Sequence, residues 1–523
     1  MLDMTTIDGI SLEELPASRR ASEYLDHPKD PELVIGLVAP IGTPLERFTG
    51  ALERALHERR YATRVHRLTA LLERDAAPWI GEEPAGSESF KRYMRLMTQG
   101  DQLRESTQAP DILALYAALS IGEMRVEQRG DKPMPGTAHI VRQLKHPEEV
   151  YRLRSIYGDA FILLGLYCPP EIRERHLEDK GISPAEIRIL MQRDEEESSK
   201  YGQKLAETFH LADAFVEVLG AAMHRDEQPR LEDELERFLN LLFGRGVVTP
   251  TRDEFAMFVA YAAALRSSSL ARQVGAAIVS PDGELISTGT NEVPRYGGGQ
   301  YWGEHGAPDH RDHAEGGDLS DRKKYELVAE ILAKLDPQWR GLNEPEREER
   351  TEQALNDLKG TQLLNLTEFM RAVHAEMEAL SAAARTGVRV RGATLYSTTF
   401  PCHNCAKHIV AAGIDRVIYI EPYSKSRALE MHGDAITLDR TGRGKVRFLP
   451  FVGVAPRKYL DLFARSTKEG RKLKAKDDRG MPLAEIGFRL GALAYSYVER
   501  ESIAAEILSH LRKEHENAFA DAA

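Results

Sequence analysis

The first sustained hydrophobic pattern is a compact apolar run, ELVIGLVAPIG at 32–42, and PLERFTGALERALHERR follows it at 44–60 with apolar positions three and four apart. That order predicts a strand, a turn and an amphipathic helix. AHIVRQL (138–144) and DAFILLGLYC (159–168) read as further strands separated by the helical HPEEVYRLRSIYG, and 183–218 reads as helices around a charged turn. Strands alternating with helices predict a doubly wound parallel sheet. DELERFLNLLFGRG (233–246) closes this unit, and a helix over TPTRDEFAMFVAYAAALRSSS (249–269) opens a second. There, AAIVSPDGELISTGTNEVP (276–294) predicts two strands joined by a Pro-Asp-Gly turn. A helix through HAEMEAL, a strand ATLYSTTF, a helix from CHNCAKHIVAAG and a strand RVIYIEPY complete it.

The pattern predicts an α/β chain in four parts: an N-terminal extension (1–30), a parallel-sheet domain (31–245), an α/β/α domain (250–455) and a helical C-terminal extension (456–523). Residues 297–360 form a charged, Gly-rich insertion in the α/β/α domain, too long for a plain connection and suited to a lid or an interface. The apolar face within 481–511 suits either an oligomer contact or packing on its own chain.

A chain of 523 residues exceeds one hydrophobic core, in keeping with this division. No apolar run of about 18 residues and no secretion leader occurs, so a cytoplasmic protein without membrane contact is expected. The net charge of -12 disfavours binding to a polymeric phosphate backbone. The exception is local: Arg465, Lys468, Arg471, Lys472, Lys474 and Lys476 cluster within 464–480, a solvated loop or a phosphate or RNA contact.

Of only three cysteines, two form a Cys-x-x-Cys pair, Cys402 and Cys405, which rules out a disulfide scaffold and points to a metal. With the pair at a helix N-terminus, both thiolates face one point and the helix dipole favours them. His374 supplies a third ligand and leaves a fourth position for water, the arrangement of a catalytic Zn2+ site; His403 and His408 are alternative fourth ligands. Glu376 is poorly placed to ligate, and a carboxylate beside activated water is a proton shuttle. His374, Glu376, Pro401, Cys402 and Cys405 together spell the H-x-E with P-C-x-x-C signature of zinc nucleobase deaminases.

With these residues and QVGAAIVS and GTNEVP, the stretch 250–455 resembles the cytidine and deoxycytidylate deaminase family, most of all its deoxycytidylate branch. The resemblance implies attack of water on C4 of a cytosine ring with loss of ammonia. It implies that Asn291 binds the sugar, that the Ala375 amide meets the pyrimidine carbonyl, and that Tyr423 lies near the phosphate, with Lys425 or Arg427 adding charge and Arg272 and Gln273 as weaker contacts. The family has Asn-Gly-x-Pro where this chain has Asn291-Glu292-Val293-Pro294, a departure in the local loop. Family members of this branch assemble, so a homo-oligomer is expected.

In the first domain, GLVAPIGTP places Gly36 and Gly42 between strand and helix, where a phosphate loop would lie, with Thr43 at the lysine position. The domain resembles P-loop nucleotide kinases, in which arginines line the phosphate site; Arg142 and Arg193 are the candidates. The whole layout resembles bacterial anti-phage dCTP deaminases. That resemblance implies conversion of dCTP and dCMP to deoxyuridine nucleotides, the first domain as a sensor, and control by a small inhibitory RNA or a nucleotide effector. A housekeeping dCMP deaminase, a kinase–deaminase of pyrimidine salvage, a nucleic-acid editor and a purely structural zinc protein remain as alternatives.

Overall fold

The computed structural model describes residues 6–7, 10–11, 30–75, 85–130, 132–195, 202–219, 231–305, 308–422, 426–467, 470, 472–490 and 494–522. It divides into two compact units, the first made of Met1–Glu254 with Val452–Ala523 and the second of Phe255–Phe451.

In the first unit, strand β1 (Leu33–Val38) is buried along its whole length, as expected of a central parallel strand packed on both faces. Helix α1 (Leu45–His57) buries Leu45, Phe48, Leu52 and Leu56, one stripe at helical spacing. Strand β2 (Ala62–Arg67), helix α2 (Glu88–Ser106), helix α3 (Ile112–Arg129), strand β3 (Thr137–Arg142), helix α4 (Pro147–Tyr157), strand β4 (Phe161–Tyr167), helix α5 (Pro184–Glu195) and strand β5 (Ala214–Glu217) follow. The parallel order is β2-β3-β1-β4-β5. A sixth strand, Gly453–Val454, adds antiparallel to β5 and covers that edge.

The C-terminal segment is thus a part of the first unit. Val454, Leu462 and Leu490 enter the same core as Leu33, Ile162 and Val216. The helix Ala494–Ala522 packs on α3 and α4. There, Glu501 pairs with the buried Arg125, which also bonds Glu32 at 2.9 Å, and Tyr497 donates to Glu32 at 3.0 Å. His139 of β3 bonds the same Glu32 at 2.9 Å and His66 of β2 at 3.0 Å, so one buried polar chain ties two strands and the residue before β1 to two helices.

The second unit is a mixed sheet. Strands β6 (Gly275–Val279) and β7 (Leu285–Thr290) form the hairpin, helix α6 (Ala375–Thr386) packs on both, and strand β8 (Thr394–Thr399), helix α7 (His403–Ala412) and strand β9 (Arg416–Glu421) follow. Strands β10 (Ile436–Thr437) and β11 (Val446–Pro450) complete the order β10-β11-β9-β8-β6-β7, in which β8 runs antiparallel to β6 and parallel to β9. The insertion carries two capped helices, Leu319–Leu335 with Asp318 at its N-cap and Glu344–Asp357 with an Asn343–Glu346 capping box.

Candidate metal centre and catalytic site

Two helix N-termini converge on the site. His374 is the N-cap residue of α6 and Cys402 that of α7, both in extended backbone conformation; the Cys402 side chain turns back to a first-turn amide, whereas that of His374 makes no such cap bond. Cys402 Sγ accepts from the Cys405 amide at 3.5 Å. His374 Nδ1 lies 3.3 Å from Cys405 Sγ and 3.4 Å from Cys402 Sγ. Tetrahedral zinc, with Zn–S about 2.3 Å and Zn–N about 2.0–2.1 Å, sets such donors roughly 3.5 Å apart, so the three residues present fit zinc. Among the described residues this is the one His/Cys/Asp/Glu group with donor atoms close enough to hold a metal, and neither His403 nor His408 belongs to it.

Glu376, in the first turn of α6, is 4% exposed, and its Oε2 lies 3.4 Å from Cys405 Sγ. Burial pushes its carboxyl above the usual range, with the thiolate of Cys402 adding to the effect. A hydrogen bond from Cys405, with His374 alongside, holds Cys402 down to about 4, so this sulfur is poised as thiolate.

Ala375, fully buried, opens α6, where the helix leaves its first amides unpaired internally. The approach of β7 to this helix is very close: a Cβ on Gly289 would stand 1.9 Å from the Ala375 carbonyl oxygen. Asn291 spends its carboxamide on backbone, accepting from the Val274 amide and donating to the Arg272 carbonyl, each at 2.7 Å. One acceptor lone pair and one donor hydrogen of that group remain. Arg272 itself pairs with Glu421. Tyr423 and Lys425 lie outside the described residues, as do Lys468 and Arg471 of the basic cluster; Arg427 pairs with Glu430 at 3.8 Å.

Glu292, where the sequence departs from the Asn-Gly-x-Pro pattern, is an anchor that the sequence reading missed. Its buried carboxylate accepts from the Ser268 amide at 2.9 Å and hydroxyl at 2.7 Å. Its backbone carbonyl accepts from Val373, next to His374, at 3.0 Å. A buried acid supplied with donors holds the loop in place of a glycine turn; the serines of RSSS were the available signal.

In the first unit the phosphate-loop residues part company. Gly36 lies inside β1, where a Cβ would meet Phe161 and Leu144 within 2.9 Å, so its glycine serves packing and not a loop. Gly42 does turn in the loop, at φ +84°, with its α-carbon face against the Arg173 carbonyl. Thr43 folds its hydroxyl onto the Pro40 carbonyl at 2.7 Å. The loop amides are already engaged: Ile41 donates to Asp194 at 2.7 Å and Thr43 to Pro40 at 3.2 Å. Arg142 lines a cavity beside this loop and pairs with the exposed Glu46, whereas Arg193 is turned to Thr98 and Asp101 and is not among the lining residues.

An α/β unit carrying one histidine and two cysteines at two helix N-termini, with a buried glutamate beside them, has the donor set of a mononuclear zinc site and the signature of zinc nucleobase deaminases. Residues 250–421 match the family model described as the cytidine and deoxycytidylate deaminase zinc-binding region, in keeping with zinc as the cofactor of the His374–Cys402–Cys405 group. The chain is 46% identical to a deoxycytidylate deaminase of Enterobacteria phage T2 over 10% of this chain and 29% of that protein. It is 25% identical to a deoxycytidylate deaminase of Pongo abelii over 42% of this chain and 91% of that one. Against the phage relative the chain therefore spans less than a third of the relative's length. Among solved structures, the dCMP deaminase from cyanophage S-TIM5 aligns with 39% of this chain and 99% of its own, at 17% identity and a TM-score of 0.22. No helix among the described residues is long and apolar enough to cross a membrane.

Proposed function

We propose that the second unit is a zinc-dependent hydrolytic deaminase of deoxycytidine nucleotides. The observation that carries the reading is Glu376: a buried carboxylate next to the His374–Cys402–Cys405 donors, to which no Lys or Arg among the described residues is bonded, has proton transfer as its evident task. A structural zinc site has no use for it.

Zinc bound here supplies Lewis acidity, which makes a water nucleophilic near neutral pH. Glu376 takes a proton from that water and delivers it to N3 of the cytosine ring. The water oxygen bonds to C4, the C4–N4 bond breaks, and Glu376 passes the second proton to the departing amine, so cytosine and water give uracil and ammonia. The Ala375 amide at the start of α6 donates to the pyrimidine carbonyl. The remaining donor and acceptor of Asn291 serve the sugar hydroxyl, and Phe400, Ala276 and Ile278 belong to the same buried apolar cluster as Cys402 and Cys405.

As substrates we propose dCTP and dCMP, on the resemblance of the whole layout to anti-phage dCTP deaminases. The biological outcome is then depletion of a phage's cytosine precursor by a homo-oligomeric enzyme under the control of a small RNA or a nucleotide effector. A dCMP-restricted enzyme is the second reading, favoured by relatives whose names are deoxycytidylate deaminases. A kinase–deaminase is less well supported, because Thr43 stands at the lysine position and the loop amides are engaged.

The test is product analysis of zinc-loaded protein given dCTP, dCMP, CTP and a cytosine-containing single-stranded oligonucleotide separately. Conversion of dCTP with the oligonucleotide untouched supports the reading. Conversion of dCMP alone selects the second. Glu376→Gln is expected to keep the fold and one zinc per chain and to lose turnover by roughly 10²-fold or more; an active Glu376→Gln protein refutes the catalytic assignment.

A further inference from the structure

We infer that the cavity at the carboxyl ends of β1 and β3 is a binding site for a phosphorylated small molecule of mononucleotide size, separate from the metal centre and held by side-chain cations. Three independent features converge there.

The first is topology. From β1 the chain passes through α1 to β2, on the far side of β3, and from β3 it passes through α4 to β4, on the far side of β1. The two adjacent strands therefore hand the chain on in opposite directions, and the crevice this opens at their carboxyl ends is where open α/β sheets take ligands. A cavity of about 240 Å³ occupies this crevice, reaching from the 41–46 loop to the 142–145 turn. It lies just below the range of roughly 300–1,000 Å³ for small-ligand pockets, which suits one mononucleotide-sized anion and excludes a polymer.

The second is charge. Arg67, Arg92, Arg104, Arg142, Lys145 and Lys180 line the cavity, against the carboxylates of Glu46 and Asp194. Arg92, Arg104, Arg142 and Lys145 already have carboxylate partners. Among the described residues Arg67 and Lys180 have none; Lys180 donates to the Tyr93 hydroxyl at 3.0 Å and sits over its ring. The Arg142–Glu46 pair is weak competition, since Glu46 is 68% exposed and such pairs are worth little in water. A phosphate entering the cavity thus meets two cations without a carboxylate in salt-bridge contact among the described residues, and a third that is readily released.

The third is the apolar part of the lining, where Leu72, Leu96, Met97 and Leu113 share the cavity with the cations. An inorganic anion has no use for such a lining, whereas a base or another flat ring does. Asp194 sharpens the distinction from a phosphoryl-transfer site. Its buried carboxylate accepts from the Ile41 amide at 2.7 Å and from Lys145 at 2.6 Å, and Lys145 also donates to the Ala39 carbonyl at 2.7 Å. A built-in anion therefore occupies the loop, and the ligand's phosphate is left to the arginines and Lys180. The site binds and does not transfer.

The experiment uses the full chain with zinc bound. Equilibrium dialysis with dAMP, dGMP, dTMP and inorganic phosphate is run on the unaltered protein, on Glu376→Gln and on Arg67→Ala/Lys180→Ala. Both substituted cations lie on accessible surface, and a thermal melt and zinc content verify the fold of the double variant. At least one nucleoside monophosphate is expected to bind the unaltered and Glu376→Gln proteins equally, to outcompete phosphate, and to bind the double variant about tenfold or more weakly. Deamination in the absence of added monophosphate is expected to be the same in the double variant. No monophosphate binding, binding untouched by the double substitution, binding lost in Glu376→Gln, or phosphate binding as well as any nucleotide each overturns the inference. Since dialysis reads binding and not turnover, failure here and failure of the deaminase reading are distinguishable.

Discussion

Replacing Gly289 by alanine tests how rigidly the fold aims its zinc ligand. The backbone at Gly289 is not left-handed, so the objection to a side chain is purely steric. The added carbon would stand 1.9 Å from the carbonyl oxygen of Ala375 and 2.5 Å from the amide nitrogen of Ala379, both rigid backbone of α6. Restoring an ordinary contact of 3.4 Å requires β7 and α6 to separate by about 1.5 Å. The helix carries His374 at its N-cap and Glu376 in its first turn, while the cysteines belong to α7, so such a shift opens the 3.3–3.4 Å spacing of the donors from one side only. A misplacement of about 1 Å costs on the order of 10²-fold in rate, and overpacking itself about 1–3 kcal/mol. Gly289→Ala is therefore expected to lose zinc to a chelator faster, to melt lower and to fall by about 10²-fold in turnover. Gly303→Ala, where an added carbon meets nothing within 4 Å, is the control. A Gly289→Ala protein that retains zinc and turns over within twofold of the parent refutes the argument.

The buried polar chain in the first unit makes it acid-labile. Burial, with His139 alongside, depresses His66 to about 3, so the folded state holds this ring neutral. Burial raises Glu32, but hydrogen bonds from His139 and Arg125 and the charge of Arg125 outweigh it and bring the carboxyl to about 2. Both groups bind protons more readily unfolded; the His66 contribution is lost as pH falls from about 6.5 to 3 and that of Glu32 from about 4.5 to 2, each at roughly 1.4 kcal/mol per pH unit. Urea unfolding of the first unit at pH 7, 5 and 4 checks this, and flat stability across that range contradicts it. Arg125→Met removes the counter-charge of two buried carboxylates, Glu32 and Glu501, and is expected to destabilise by about 3–5 kcal/mol, read in the same assay. Stripping zinc with a chelator is expected to abolish turnover and to lower the melting of the second unit, which carries all three donors; unchanged melting and turnover of the stripped protein refutes this.

The metal centre was legible because its donors are set by local chemistry. His374 and Cys402 each cap the helix that begins one residue later, and Cys405 follows within one turn, so spacing in the sequence maps directly onto spacing in space. Glu292 was not, because the donors it satisfies come from Ser268, 24 residues away, and a carboxylate gives no sign of where its partners lie. Gly289 left a trace, a glycine interrupting a strand pattern, which marks a bulge or a close backbone approach without saying to what. The strand alternation behind the first sheet was readable. Its sixth strand was not, since Gly453–Val454 is too short to carry a period. Gly36 misled for the converse reason: a glycine near a strand end looks like a loop, and only the Phe161 ring packed against it shows otherwise.

The return of the chain to its first unit sets an order of events during synthesis. The sheet begins with β1 at Leu33 but gains its last strand only at Gly453, and Arg125, paired with Glu32, waits for Glu501 as its second carboxylate partner. The catalytic unit, contiguous from Phe255 to Phe451, has all its strands and its three metal donors by then. On the ribosome, therefore, the second unit can be assembled while the first still has an open sheet edge and a buried Arg125 that lacks one of its two carboxylate partners. A nascent chain stalled near residue 451 is the species in which the catalytic unit would be free of its companion's finished fold.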